Sequence, residues 1–256
     1  MNAFIYAAGR AMRLGHGFAD CPKILLEVGG MTLLERHAQR LAAVGVKRLV
    51  IITGHKGEMI REHFRALQDR YAIKIREIVN EDYTEGSVLS LNVSLPEILT
   101  SPSPLLLMDG DVLYPTEMLR RLLRSKHPSV LLIDRHYSKA DDDPMLVPIR
   151  NGRPAEFMKK WSGTAECVGE SIGFFKLDAA EIPMLVEETR QRITGERRRE
   201  PYDEVLRALV LAGRFGHEDV TGLPWTEIDF PEDVEHARSI VLPAVEAYES
   251  AETNRP

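Results

Sequence analysis

The chain of 256 residues has few cysteines and no long apolar segment. Cys21 and Cys167 are its only cysteines and lie far apart, which argues against a disulfide framework or a thiolate metal cluster. The sequence points to no base that would activate Cys21, so we interpret it as a small loop residue. No window of about 20 apolar residues occurs, and the first residues lack the pattern of a signal peptide. We therefore expect no membrane insertion and a cytoplasmic location.

Positive charge is also in deficit, because the formal net charge is −6. A protein that binds nucleic acid through its overall field is expected to be basic, so we predict no nucleic-acid partner. Small anions bound at a focused site fit this composition better. The hydrophobic content of 44% is sufficient for a full core.

Two common phosphate-binding motifs are missing as well. The chain has neither a GxGxxG fingerprint between a strand and a helix nor a GxxxxGK loop followed by Ser or Thr. What it has is FIYAAGRAMRLGHGFADCPK, residues 4–23, which we call the phosphate loop. Gly9 and Gly15 allow peptide N–H groups to turn toward an anion. Three cations add positive charge: Arg10, Arg13 and Lys23. A surface turn with solvated basic side chains is the alternative.

Apolar runs and helical spacing alternate along the first half of the chain. Strands are predicted at residues 4–8, 49–53, 73–79 and 105–108, and helices at 31–44, 57–70 and from Ser87 onward. This alternation predicts a Rossmann-like α/β fold, in which a mostly parallel sheet is flanked by helices. Ligands of such folds bind beyond the carboxyl ends of the strands.

The second half has shorter strand-like runs, which predict a smaller, β-rich insertion after the first half. These runs lie at 130–134, 145–149, 155–158 and 170–176, and helices are expected at 178–193 and 201–212. We therefore expect one domain at 1–247, with a first half at about 1–128, a second half at about 129–228 and a closing helix at 229–247. Residues 248–256 are predicted to be a polar tail. No second catalytic domain is expected.

Acidic residues stand near the ends of two predicted strands. Asp109, Gly110 and Asp111 follow the apolar run 105–108, and Asp229 precedes a proline suited to the first turn of a helix. Mg²⁺ prefers carboxylate oxygens together with substrate phosphates. Turn formation by Asp and Gly is the alternative. The consecutive acids Asp141 to Asp143 are more typical of a solvated loop.

These motifs resemble a known signature. AAGRAMRLG followed by CPKILLEVGGMTLLERH is similar to AAGxGxRLx…PKxLxxVxGxPLLE of the nucleoside-triphosphate transferase family, and the similarity continues at LLLMDGDVLY and WTEIDFPEDVEHA. Members join a nucleoside monophosphate to a phosphate-bearing acceptor and release pyrophosphate. Within the family, the chain most resembles the phosphocholine and phosphonate cytidylyltransferase branch. It has Ala11 where the signature has a second loop glycine, which leaves the base-side geometry open.

The resemblance implies that residues of about 1–128 form a nucleotide-binding half and that the β-rich insertion of about 129–228 forms an acceptor-side half. It also implies roles for particular residues. Arg13 and Lys23 would be catalytic, the first holding the β- and γ-phosphates and the second the α-phosphate, while Asp111 and Asp229 would hold Mg²⁺. The implied nucleotide-binding residues are Ala7, Ala8, Gly9, Arg10, Glu85, Gly86, Ser87 and Asp109. The implied acceptor-binding residues are Lys159, Glu170, Tyr202, Asp203 and Trp225.

Structural roles compete with several of these assignments. Helix capping is the alternative for Ser87, and core packing is the alternative for the aromatic residues. Lys159 and Lys160 end the EFMKK run, so strand alternation would place only one of them on the side of the site. A solvated pair of lysines is the alternative.

We therefore expect an Mg²⁺-dependent nucleotidyltransferase that transfers CMP from CTP to a small phosphate or phosphonate acceptor, of the phosphocholine or 2-aminoethylphosphonate type. The acceptor phosphate is ionised near neutral pH, so no general base is needed. One alternative is a sugar-1-phosphate nucleotidyltransferase that uses UTP, GTP or dTTP. Another is a catalytically silent nucleotide sensor, which should have lost Lys23 or one of the two acids. A homodimer is left open.

Overall fold

The computed structural model describes residues 1–15, 21–136 and 144–253. Its strands, in chain order, are β1 (Asn2–Ala7), β2 (Glu27–Val28), β3 (Met31–Thr32), β4 (Arg48–Thr53), β5 (Lys74–Val79), β6 (Leu105–Asp109), β7 (Val112–Leu113), β8 (Val130–Asp134), β9 (Leu146–Arg150), β10 (Arg153–Pro154), β11 (Cys167–Leu177), β12 (Gly216–Asp219) and β13 (Thr226–Glu227). Its helices are α1 (Leu33–Ala43), α2 (Gly57–Glu62), α3 (Phe64–Tyr71), α4 (Val88–Thr100), α5 (Thr116–Arg124), α6 (Ile182–Arg192), α7 (Asp203–Leu211), α8 (Pro231–His236) and α9 (Leu242–Thr253). In these ranges no helix is both long and apolar enough to span a bilayer.

The chain forms two compact units that alternate along the sequence. The β1 unit is built from Asn2–Thr84, Asp109–Arg120 and Leu223–Pro256. The β11 unit is built from Met1, Glu85–Met108 and Arg121–Gly222. The residues 16–20, 137–143 and 254–256 lie outside the part that the structure describes, and they include the predicted acidic loop Asp141 to Asp143.

The β1 unit is organised around parallel strands. β1 pairs with β4, and β4 pairs with β5, all in parallel register. The central residues of β1 and β4, such as Phe4 and Val50, are fully buried, as expected for strands covered on both faces. Beyond Ala7, the phosphate loop continues from the carboxyl end of β1, which is the edge where ligands of such sheets bind.

The β11 unit is organised around one long strand. β11 pairs antiparallel with β6, β8 and β9, and β12 pairs parallel with β8. The pairing of β11 with β8 changes register between Ser171 and Phe175, as at a β-bulge. Helix α6 packs on α4 and α7. The predicted α/β fold with a mostly parallel sheet flanked by helices is therefore confirmed, and the β-rich part is centred on β11.

Two predicted elements differ in the structure. Residues 155–158 do not form a strand, because β10 ends at Pro154 and Met158 makes only an isolated bridge to Leu146. Lys159 and Lys160 are consequently both exposed, so strand alternation does not separate them. The predicted helix 57–70 is divided into α2 and α3, since the His63 N–H donates to the Ile60 carbonyl in a tighter turn.

The last helix extends beyond the range expected from sequence. A π-helical turn, Ala237–Val241, joins α8 to α9, and α9 continues to Thr253 through residues predicted as a polar tail. The Glu249 carboxylate accepts hydrogen bonds from the Thr116 N–H (2.9 Å) and hydroxyl (2.7 Å). The Glu252 carboxylate accepts one from Arg120 at 2.9 Å. These bonds fasten α9 to the start of α5 within the β1 unit.

Candidate active site

A short strand pair brings the two predicted metal ligands together. β7 and β13 pair antiparallel, with Glu227 opposite Val112, and the Ile228 N–H donates to the Asp111 carbonyl at 3.0 Å. Asp111 directly precedes β7, and Asp229 lies two residues beyond Glu227. Residues more than 100 positions apart in the sequence thus become neighbours at one edge of the β1 unit.

Lys23 lies between these two acids. Its Nζ donates to the Asp111 carboxylate at 3.1 Å and also to the Asp229 carboxylate. Arg13 adds a second cation, because its Nη1 donates to the other Asp229 oxygen at 2.9 Å. The Asp229 N–H itself donates to the Asp233 carboxylate at 2.8 Å, which fixes the backbone at the start of α8. All four predicted catalytic and metal residues therefore meet in one cluster.

Glu227 is a third acid that sequence reasoning missed. One carboxylate oxygen from each of Asp111, Glu227 and Asp229 lies within 4.8 Å of the others. The signal was present in WTEID, because residues two apart in a strand point to the same side. An acid at 227 would therefore accompany an acid at 229.

The charges in this cluster alter one another's protonation. Burial acts to lower the pKa of Lys23, but the carboxylates of Asp111 and Asp229 outweigh it and raise that pKa above its usual range. For Asp229 burial acts in the opposite direction, yet Lys23 and Arg13 hold its pKa below the usual value. Enclosure by the protein, followed by the negative charges of Asp111 and Asp229, raises the pKa of Glu227, although part of that residue remains solvent-exposed.

The donor set fits a hard divalent cation. Three carboxylates converge, and Mg²⁺ prefers such oxygen ligands. Burial is the first cause of the raised pKa of Glu227, and the negative charges of Asp111 and Asp229 add to it, so a divalent cation would offset that part of the effect. Asp109 is half-buried on the same turn and adds to this negative field. The residues that would hold the ion are Asp111 and Asp229, with Glu227 as the added candidate.

The phosphate loop has an unusual backbone at Ala11. This residue adopts the left-handed conformation with φ 52°, and Gly15 also has a positive φ of 73°. The Leu14 N–H donates to the Ala11 carbonyl at 3.2 Å, which closes a short 3-10 turn at Met12–Leu14. Ala11 therefore takes the backbone angles that the glycine of the family signature would take more easily.

The other predicted residues of this loop differ in accessibility. Gly9 and Arg10 are exposed, and a Cβ added at Gly9 would meet no atom within 4 Å. Ala7 is half-buried, and Ala8 is buried with its carbonyl accepting from the His55 N–H at 3.1 Å. Gly9 and Arg10 therefore offer the open backbone of the loop, while Ala7 and Ala8 support it.

The predicted nucleotide-side residues of the β11 unit have protein partners. The Gly86 N–H donates to the Arg198 carbonyl at 3.2 Å, and Glu85 pairs with the Arg198 guanidinium at 2.7 Å. The Ser87 hydroxyl accepts from the Tyr202 N–H at 2.9 Å. Ser87 makes no side-chain cap bond at the start of α4, so it supports α7 instead.

The predicted acceptor-side residues differ in solvent exposure, and they do not all belong to the same unit. Tyr202 is buried with 5% of its surface exposed, Asp203 and Glu170 are half-buried, and Lys159 is exposed. All four belong to the β11 unit, whereas Trp225 is half-buried in the β1 unit just before β13. Their roles at an acceptor site stay predictions.

Known structures share this fold. An inositol-1-phosphate CTP transferase from T. maritima superposes with a TM-score of 0.75 at 20% identity, covering 96% of this chain and 94% of that one. A CTP:phosphocholine cytidylyltransferase from Streptococcus pneumoniae gives 0.74 at 20% identity, covering 93% and 98%. The chain thus shares the α/β fold of these two proteins.

Residues 3–172 match the family model described as the MobA-like NTP transferase domain, and the chain belongs to this family. The resemblance seen in the sequence is confirmed at this level. The class of enzyme that it implied, a nucleotidyltransferase, is confirmed as the class of the family.

Two curated relatives align along nearly the whole chain. A bifunctional IPC transferase and DIPP synthase of Rubrobacter xylanophilus is 30% identical over 94% of this chain and 52% of its own length. A CMP-5'-(3-aminopropyl)phosphonate synthase of Streptomyces rubellomurinus is 28% identical over 93% of this chain and 38% of its own length. The chain therefore spans about half or less of these relatives.

Proposed function

We propose that the chain is an Mg²⁺-dependent cytidylyltransferase, which transfers CMP from CTP to a small phosphate or phosphonate acceptor and releases pyrophosphate. The observation that carries this proposal is the contact of Lys23 with both Asp111 and Asp229. The similarity to the CMP-(3-aminopropyl)phosphonate synthase supports CTP as donor and an acceptor that bears an amine.

The proposed chemistry depends on neutralising charge. The acceptor oxygen attacks the α-phosphorus of CTP, and the bond to the pyrophosphate oxygen breaks. The acceptor is already ionised, so no side chain has to remove a proton. Lys23 would face the α-phosphate, and its raised pKa keeps the ammonium protonated throughout the working pH range. Arg13 would face the departing phosphates.

The carboxylates would complete this arrangement. Bound Mg²⁺ supplies charge stabilisation and orients phosphate oxygens. Asp111 and Asp229 would hold it, with Glu227 beside them. Both Asp side chains pair with Lys23, so the carboxylates that would hold the ion lie beside the ammonium that would face the α-phosphate.

The first test is a pyrophosphate-release screen. CTP, UTP, GTP and dTTP are each combined with phosphocholine, 2-aminoethylphosphonate and glucose 1-phosphate. We expect CTP with an amine-bearing acceptor to react fastest. Faster release with UTP, GTP or dTTP and the sugar phosphate would replace this proposal by a sugar-1-phosphate nucleotidyltransferase. Absence of release with every pair would contradict transferase activity on these substrates.

The metal ligands are tested by Asp111→Asn and Asp229→Asn. Each variant should raise the Mg²⁺ concentration needed for half-maximal turnover by at least about 10-fold. This is the lower end of the loss in metal affinity that follows removal of a residue supporting a metal ligand. The double variant should be far from additive because both acids serve one ion. Asp69→Asn, an exposed acid on α3, is the matched control and should leave turnover unchanged. Wild-type behaviour of either active-site variant at limiting Mg²⁺ would remove that residue from the ligand set.

The acceptor side is tested at Asp203, half-buried in the first turn of α7. A carboxylate near the acceptor amine would bind it in the ground state, so Asp203→Asn should mainly raise the KM for the cationic acceptor. Glu196→Gln, an exposed acid of the same unit, is the control. An unchanged KM in Asp203→Asn would remove this residue from the proposed site.

A further inference from the structure

His37 lies beneath the acidic turn without being part of the proposed chemistry. It belongs to α1 and is fully buried in the β1 unit. Its Nε2 lies 3.2 Å from the Gly110 carbonyl oxygen, and its Nδ1 lies 3.1 Å from the Tyr114 hydroxyl. Gly110 is the residue between Asp109 and Asp111. The imidazole therefore connects α1 to the peptide that carries the predicted acids.

The chemistry of these partners fixes the tautomer. Burial lowers the pKa of His37 to about 3, so the ring is neutral and carries one N–H. A carbonyl oxygen can only accept, which places the hydrogen on Nε2. Nδ1 then accepts from the Tyr114 hydroxyl. The bond to the Gly110 carbonyl is therefore directional, and reversing the tautomer would break it.

The Gly110 peptide also packs closely against β1. A Cβ at this position would lie 3.1 Å from the Ile5 Cγ2 and 3.1 Å from the Tyr6 carbonyl, both on β1. The next peptide is held as well, because the Asp111 carbonyl accepts from the Ile228 N–H. The bond from His37 thus adds a side-chain contact to the packing and backbone contacts that hold this turn.

We propose that His37 is a positioning residue for the metal site, which acts by orienting the turn from Asp109 to Asp111 through the Gly110 carbonyl. Tyr114 supports it by donating to Nδ1. This inference rests on the proposed Mg²⁺ site, since it assigns His37 to holding the Asp111 carboxylate in place for the ion. Partners that orient metal ligands commonly contribute about 10- to 100-fold to metal affinity.

The test measures binding of Mn²⁺ alone to the purified full chain, from the electron paramagnetic resonance signal of the free ion. We expect His37→Leu, which removes both hydrogen bonds, to weaken Mn²⁺ binding by about 10-fold or more. His37→Gln keeps a side-chain N–H that reaches toward the carbonyl, so it should restore part of the affinity. Tyr114→Phe keeps the ring and removes only the hydroxyl, and should give a smaller loss.

The control separates positioning from general loosening of the fold. Leu41 is fully buried on the same helix, so Leu41→Ala should lower the Tm while leaving Mn²⁺ affinity unchanged. If His37→Leu does not fold, Tyr114→Phe decides the question, and an unchanged affinity there would overturn the inference. Wild-type affinity in His37→Leu, alongside weakened binding in Asp111→Asn, would overturn the inference and leave the proposed function intact. A wild-type chain that binds no Mn²⁺ would overturn both.

Discussion

The two units use their motif residues in different ways. In the β1 unit, the predicted residues Arg13, Lys23, Asp111 and Asp229 contact one another through charged groups. In the β11 unit, Gly86 and Ser87 contact the backbone of neighbouring segments. The charges of the first unit are therefore arranged around a common centre, whereas the polar groups of the second connect elements of its fold.

This difference separates two reasons why a polar residue occurs at the end of a strand or helix. Several carboxylates held near two cations have no evident purpose for stability, because enclosing charges costs free energy that pairing repays only in part. Glycine and serine at the start of α4 are sufficiently explained by close packing and backbone hydrogen bonding. The β1 unit is thus the stronger candidate for chemistry.

The comparison is tested most severely at Lys23. Lys23→Ala should lower pyrophosphate release by about 100-fold or more, because it removes charge stabilisation at the reacting phosphorus. Circular dichroism should show a retained fold. Lys74→Ala, at an exposed position of β5, is the control. Near-normal turnover in purified Lys23→Ala would mean that the ion pairs of Lys23 with Asp111 and Asp229 have only a structural role.

The next effect compares two glycines that were both predicted to bind nucleotide. A Cβ at Gly86 would lie 2.3 Å from the Glu200 carbonyl oxygen, so Gly86→Ala should destabilise the protein by about 1–3 kcal/mol through overpacking. Gly9→Ala meets no atom within 4 Å and should leave stability nearly unchanged. Urea unfolding measures both. Equal stability of the two variants would contradict the packing role of Gly86.

A smaller effect is expected from two buried or half-buried histidines, one in each unit. Burial lowers the pKa of His37 to about 3, and burial followed by the charge of His127 lowers that of His217. The unfolded chain takes up a proton at His37 near pH 6.5, but the folded chain does not, so stability is fully present above pH 6.5 and is lost as the pH falls toward about 3.

Between pH 6.5 and 5.5, wild type should therefore lose up to about 1.4 kcal/mol more stability than His37→Gln. His217→Asn should remove less of the acid dependence, because His217 is only half-buried. Urea titrations at several pH values provide the measurement. Identical slopes in wild type and His37→Gln would show that the imidazole is not held neutral.

The sequence was sufficient for the fold and for the centre of the candidate site. Continuous apolar runs indicated β1, β4 and β6, which are buried strands, whereas β5 followed from a weaker strand pattern in a half-exposed segment. The charged residues Lys23, Asp111 and Asp229 followed from the resemblance to the family signature. Their contact required a sheet in which distant segments pair, and this depended on β7 and β13, which have only two residues each.

Other features were beyond sequence reasoning for physical reasons. Glu227 was missed because β13 has only two residues, so the spacing of Glu227 and Asp229 in WTEID gains meaning only when the pairing of β13 with β7 is known. The partner of Gly86 is a carbonyl at Arg198, and backbone groups carry no sequence signal. His37 sits in a helix with ordinary amphipathic spacing, so its bond to Gly110 depends on tertiary packing. Contacts made through backbone groups therefore account for much of what the sequence did not predict.

The smallest expected effect on stability concerns residues with a left-handed backbone conformation. The two units place different residue types at such positions. In the β1 unit, alanines occupy two such positions, Ala11 (φ 52°) and Ala72 (φ 50°), whereas the β11 unit places Asn151 (φ 49°) at one. Asparagine tolerates these angles better than alanine. A left-handed alanine costs roughly 1–2 kcal/mol, and replacing it by glycine adds about 0.4–1 kcal/mol of unfolded-state entropy.

Ala72→Gly should therefore stabilise the protein slightly, because Ala72 is exposed and its methyl packs little. Ala11 is 8% exposed and belongs to the apolar cluster beneath the phosphate loop. Loss of its methyl costs about 0.8 kcal/mol, which cancels the remaining gain, so Ala11→Gly should change stability by less than about 0.5 kcal/mol. Urea unfolding of both variants measures the difference. A stabilisation at Ala11 as large as that at Ala72 would mean that its methyl contributes nothing to the packing of the loop.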